Sequence, residues 1–223
     1  MNMSLSRRAA AEFVGTLFLL SAVVGSGIMG DHLASGNVAI ALLANSVATG
    51  AALVALILAF GPISGAHFNP VVTLADAWQG GTVWRDVPVY LAAQIAGAIT
   101  GVAVAHLMFG EALFLSSTHA RSGPAQLFSE FVATFGLLGV IWGCAKPRPT
   151  AVPYAVGCYI TAAYWFTSST SFANPAVTLA RTMTNTFSGI RPADMPGFIV
   201  AEFAGAIVAI VLFRWFRSSL PAA

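Results

Sequence analysis

The chain has 223 residues, of which 57% are hydrophobic and only 8% are charged, whereas a soluble domain carries about 25% charged residues. Its expected solvent is therefore lipid. A net charge of +2 with no basic stripe gives no basis for a nucleic-acid partner, and Cys144 and Cys158, in or beside apolar segments, read as packing residues and not as a disulfide framework.

From the N-terminus, MNMSLSRR followed by an apolar run imitates a secretory signal. The run is about 20 residues long, contains Glu12 and recurs later in the chain, so it reads as a retained span. Six stretches approach the ~20 helical residues that cross a hydrocarbon core about 30 Å thick. They are Ala10–Met29, Val38–Ala59, Pro88–Phe109, Ala125–Cys144, the shorter Val152–Ser168, and Pro196–Phe216. Two further apolar pieces, Asn69–Trp78 and Asn174–Met183, have only half that length. A ten-residue helix rises about 15 Å, half a membrane.

An internal repeat explains the order. Glu12-Phe13-Val14-Gly15-Thr16 is answered by Glu130-Phe131-Val132-Ala133-Thr134, and Ala93-Gln94-Ile95-Ala96-Gly97-Ala98 by Ala201-Glu202-Phe203-Ala204-Gly205-Ala206. FNPVVTLADA (Phe68–Ala77) shares its core with FANPAVTLAR (Phe172–Arg181), the two asparagines lying 105 positions apart (174 − 69). Each half is two spans, a half-helix and a third span. Three crossings per half turn the second half upside down, so the expected fold is an all-α membrane domain over 1–223, with inverted repeats at about 9–110 and 125–217. With both termini inside, Arg7, Arg8, Arg85, Lys146, Arg148, Arg214 and Arg217 are cytoplasmic, against Arg121, Arg181 and Arg191 outside. That bias sets the orientation in a plasma or inner membrane.

Inverted halves bring the two half-helix N-termini together near the midplane, where irregular backbone survives only inside protein or beside a wet cavity. Asn is a strong N-cap and Pro suits the first helical position. With its oxygen used as the cap, the Asn amide is expected to donate into a lumen. Each helix start also carries roughly half a positive charge, so a facing pair opposes cations and orients water against a proton wire. Asn69-Pro70-Val71 and Asn174-Pro175-Ala176 thus describe the centre of a pore for neutral molecules.

With AEFVGT (Ala11–Thr16), SGAHFNPVVT (Ser64–Thr73) and SFANPAVT (Ser171–Thr178), the chain resembles the aquaporin (major intrinsic protein) family over essentially its whole length. Within it, the chain looks like the arsenic-associated bacterial aquaglyceroporins. The resemblance implies a homotetramer in the lipid bilayer, one pore per subunit, and passive flow. Glu12 and Glu130, intramembrane acids at equivalent repeat positions, are candidates for proton coupling, but the resemblance favours a structural role as acceptors for the half-helix loops. Val71 stands where the family usually has Ala, a change expected to be tolerated.

The family's outer constriction maps onto Thr49, Ala162, Ser171 and Val177, and Val177 replaces an Arg usual in the family. None of these four is aromatic or charged, so a wide filter is expected. The missing guanidinium removes a barrier on the order of 4 kcal/mol against a monovalent cation at ~4 Å and an effective dielectric near 20. Arg181, one turn further on, either moves that charge toward the outer mouth or anchors at the interface by snorkelling, the blander and favoured reading. His67 lines the pore or packs in its loop, while Glu202, the counterpart of Gln94, suggests a helix–helix hydrogen bond. Gly97 and Gly101, spaced small-xxx-small, let helices approach.

His32, His106 and His119 have no metal-ligand spacing, and no nucleophile–base pair or phosphate loop occurs, so neither enzyme nor cofactor is expected. The leading function is a passive channel for small neutral solutes: glycerol-like polyols, arsenous acid and methylated arsenicals. The alternatives are a water-selective aquaporin, an ion-coupled secondary transporter, which also uses broken helices, and a non-conducting scaffold.

Overall fold

A computed structural model describes residues 3–218, without the side chains of 217 and 218. Arg217, counted above among the basic residues, therefore has its side chain outside the described residues. The long helices are α1 (Leu5–Leu33), α2 (Val38–Ser64), α4 (Val87–Phe109), α5 (Pro124–Ala145), α6 (Val152–Phe166) and α8 (Met195–Ser218), with α3 (Pro70–Trp78) and α7 (Pro175–Ala180) as the short ones. Five of the long helices have the length and apolarity to cross a membrane. The sixth, α6, has 15 residues and is preceded by a 3₁₀ turn at Pro149–Ala151.

The exterior is apolar and the interior holds the polar groups, the reverse of a soluble protein. Leu107, Val200, Val211 and Trp215 are exposed, whereas Glu12, Gln94, Glu130 and Glu202 are wholly buried. α1 packs chiefly on α4 and its counterpart α5 on α8, while α2 against α6 joins the halves. The repeat reaches to single atoms. A Cβ on Gly97 would collide with the Phe13 carbonyl oxygen, and one on Gly205 with the Phe131 carbonyl oxygen, so both glycines are needed for close helix approach.

Both short helices begin at the centre and run outward, α3 to the face that bears the termini and α7 to the opposite face. Their Asn-Pro starts are the reason. The Asn69 side-chain oxygen accepts from Val71 N at 3.0 Å, and that of Asn174 from Ala176 N at 3.0 Å and Val177 N at 3.3 Å. Pro at the next position forfeits no hydrogen bond.

Candidate functional site: a pore through the helix junction

A continuous cavity of about 850 Å³ runs from Arg8 and Asp86 on the terminal face, past Asn69 and Asn174, to Ser171 and Arg181 near the opposite face. The loops that enter it are bent at equivalent places. Ala66 and Phe68 in one, and Ser171 and Ala173 in the other, have φ near +50°, at 50°, 50°, 53° and 48°. Such left-handed backbone costs on the order of 1–3 kcal/mol per non-glycine residue and persists only where the surroundings enforce it.

Buried glutamates hold these loops. Glu12 accepts from Ser64 Oγ at 2.6 Å, His67 N at 2.9 Å, Phe68 N at 2.7 Å and Gln94 Nε2 at 2.8 Å. Glu130 accepts from Phe172 N at 2.9 Å and Ala173 N at 2.7 Å. Glu202 receives Thr178 Oγ1 at 2.6 Å and Asn174 N at 3.2 Å, while Gln94 donates to Thr73 Oγ1 at 2.8 Å. The Gln94/Glu202 pair thus ties each half-helix to its neighbouring span.

At the junction the structure corrects one expectation. The Asn amides are not wholly free: Asn69 Nδ2 donates to Ala173 O at 2.7 Å, and Asn174 Nδ2 to Phe68 O at 2.8 Å. Two inward-bent loops bring buried carbonyls that need donors, and each amide has two N–H groups, so one locks the opposite loop and one remains for the lumen. Pro70, Val71, Pro175 and Ala176 are buried at this junction but do not line the cavity.

Thr49, Ser171 and Val177 line the cavity and are 3%, 3% and 5% exposed. Ala162 does not: it lies exposed on the outer side of α6, and the expectation that it forms part of the constriction is wrong. The cavity face of α6 repeats every four residues as Val152, Val156, Ile160 and Tyr164. Tyr164 stands level with Thr49, the two hydroxyls 3.2 Å apart. The cavity wall beside Thr49 therefore carries an aromatic ring, where no aromatic was expected, and its hydroxyl is engaged by Thr49. The side-chain oxygen of Ser171 is buried without a hydrogen-bond partner.

The snorkelling reading of Arg181 also fails. Its side chain is 2% exposed, lines the cavity, stacks 3.4 Å over the Phe172 ring and donates from Nε to Ser188 O. On the terminal side, His67 lines the cavity, with Nδ1 3.1 Å from Thr73 Oγ1 and Nε2 3.8 Å from Asp76 Oδ2. Among the described residues no cluster of metal-binding side chains occurs. The residues that sequence reasoning missed are Tyr164, visible only as the end of a four-residue apolar periodicity, and Phe172, the buried platform under Arg181.

A membrane-spanning bundle with two half-helices meeting around a through-going cavity defines a channel, not an enzyme. The chain belongs to the major intrinsic protein family, whose model matches residues 1–171. It is 57% identical to the aquaglyceroporin AqpS of Rhizobium meliloti (strain 1021) over 211 residues, covering 95% of this chain and 90% of that protein. It is 39% identical to the aquaporin NIP1-1 of Oryza sativa subsp. japonica over 141 residues, which span 62% of this chain but only 49% of the plant protein. The X-ray structure of the aquaglyceroporin from Plasmodium falciparum shares the fold, with a TM-score of 0.75 at 22% identity, covering 94% of this chain and 96% of that one.

Proposed function

We propose that the protein is a passive channel for glycerol-like polyols and undissociated oxoacids such as arsenous acid, assembled as a homotetramer in the plasma or inner membrane with both termini cytoplasmic. The observation that carries this reading is the cavity that passes Asn69 and Asn174 and is lined both by the hydroxyl-bearing residues Thr49 and Tyr164 and by apolar Val177 and Ile160. A polyol or neutral oxoacid has the same mixed character, several hydroxyls on a compact body. Val177 in place of a guanidinium leaves room beside Thr49. The aquaglyceroporin name of the R. meliloti relative supports the solute class.

The orientation is supported by charge. Of the three basic residues assigned outside, Arg121 and Arg181 are buried, which leaves Arg191 as the exposed one and widens the asymmetry toward the terminal face. A water-selective channel is the weaker reading, because Tyr164 and Val177 place apolar surface where a narrow water filter needs donors.

The test is light scattering from vesicles containing purified protein, shocked with glycerol or arsenous acid. Solute entry far above that of protein-free vesicles supports the proposal. Rapid water exchange with no solute entry returns it to a water channel.

A further inference from the structure

The guanidinium missing at Val177 has a candidate one turn on, at the residue that caps the end of the half-helix α7. Arg181 follows Val177 by about 6 Å of rise toward the outer mouth. Side chains on a helix lean toward its N-terminus, so this one leans back toward the pore centre. Its ring platform is rigid: Phe172 is 5% exposed, packs edge-on against Phe198 at 5.2 Å between centroids, and has its backbone held by Glu130. A cation over a desolvated ring is held in one geometry.

Among the described residues Arg181 makes no ion pair and no hydrogen bond from either Nη nitrogen. Neither nitrogen is a buried atom lacking a partner. Both therefore reach the cavity.

Arg121 is the control supplied by the same site. It lies 5.2 Å from the same ring, but donates Nε to Gly189 O at 2.8 Å, Nη1 to Ser169 O at 3.1 Å and Nη2 to Phe187 O at 3.5 Å. Its donors are occupied by loop carbonyls, and it is not on the cavity wall. One arginine builds the outer loops; the other faces the pore. Ser171 lines the same wall, but its Oγ is buried and offers no contact to a solute, which leaves the Arg181 donors as the polar group in reach.

We infer that Arg181, seated on Phe172, is a specificity-determining residue of the outer pore. Its fixed charge excludes cations, and its Nη donors form a subsite for the oxygens of a neutral hydroxylated solute. This rests on the channel reading above.

The test uses purified protein in liposomes, with potassium, water and glycerol as probes. Arg181→Met keeps the length of the side chain and loses its charge and donors. Potassium leak should rise about tenfold or more, and the glycerol-to-water permeability ratio should fall about fivefold. Arg181→Lys should keep potassium out yet lower the ratio, because an ammonium has no planar fork to present.

Water permeability in each variant reports whether the pore has folded. Should Arg181→Met not insert, Arg181→Lys decides the matter: an unchanged ratio overturns the assignment. Inserted Arg181→Met with unchanged leak and ratio overturns it equally. Absence of glycerol flux in the unsubstituted protein sinks the channel reading itself, whereas normal flux with no variant effect sinks only the role of Arg181.

Discussion

The two half-helices share an Asn-Pro start, a Thr four residues on and a buried carboxylate behind the entering loop, yet they differ in the ring and the charge they show the pore. His67 and Phe172 stand at equivalent positions, two residues before their Asn, and Asp76 and Arg181 seven after (76 − 69 and 181 − 174). In the first repeat His67 Nε2 lies 3.8 Å from Asp76 Oδ2; in the second the Arg181 guanidinium lies 3.4 Å over the Phe172 ring. All four residues line the cavity. The repeat thus duplicates the backbone and reverses the charge, an acid toward the terminal-face mouth and a cation toward the other. Helix ends and Asn pair are common to both halves and cannot distinguish the mouths. The ring–charge pairs can.

Breaking what the halves share should have the largest effect. Asn174→Asp keeps the cap but replaces the donor to Phe68 O with an oxygen, setting two acceptors against each other at 2.8 Å spacing. Glycerol flux in vesicles should fall by about tenfold or more, or a cation leak should open, because the junction loses a buried charge-neutral bond. Asn69→Asp should do the same through Ala173 O. A correctly inserted variant with normal flux and no leak would separate the Asn pair from conduction.

The supporting carboxylates come next. Glu130→Leu strands the buried N–H groups of Phe172 and Ala173, each costing about 1–3 kcal/mol, so the melting temperature in detergent should drop sharply. Glu202→Gln instead copies Gln94 of the first repeat and keeps an oxygen that can accept from Thr178 Oγ1 and Asn174 N. That variant should melt close to the unsubstituted protein, and a large loss would show that the two halves support their half-helices differently.

Val177→Arg should act more gently and only on selectivity. It adds a guanidinium four residues before Arg181, where like charges on a helix repel by about 0.2–0.5 kcal/mol. Glycerol and methylated arsenicals should slow severalfold relative to water, as read from the permeability ratio in liposomes. Moving the cation inward with Val177→Arg and Arg181→Val together should relieve the repulsion and keep the narrowed ratio. An unchanged ratio in both would place Val177 off the constriction.

Local chemistry made much of this legible in the sequence. An Asn followed by Pro marks a helix start wherever it falls, and its repetition 105 residues on, with Glu12 and Glu130 as paired acids, carried the half-helices. The constriction was less legible. Counting back from Asn174 to α6 crosses the irregular turn at 167–173, whose path helical periodicity does not determine, so the count fell on outward-facing Ala162 instead of Tyr164. Arg181 looked like an interfacial anchor because its burial depends on a loop distant from its own helical pattern: the chain returns over it to offer Ser188 O. The engaged Asn amides had the same origin, since their partners Phe68 O and Ala173 O belong to the opposite repeat.

The most direct test of the central claim, a passive pore whose centre carries no ionisable group, is glycerol uptake by purified protein in liposomes with and without an imposed proton or sodium gradient. The account predicts equal rates in both conditions, with internal glycerol stopping at the external concentration. Accumulation above that level under either gradient would contradict it and identify a coupled transporter.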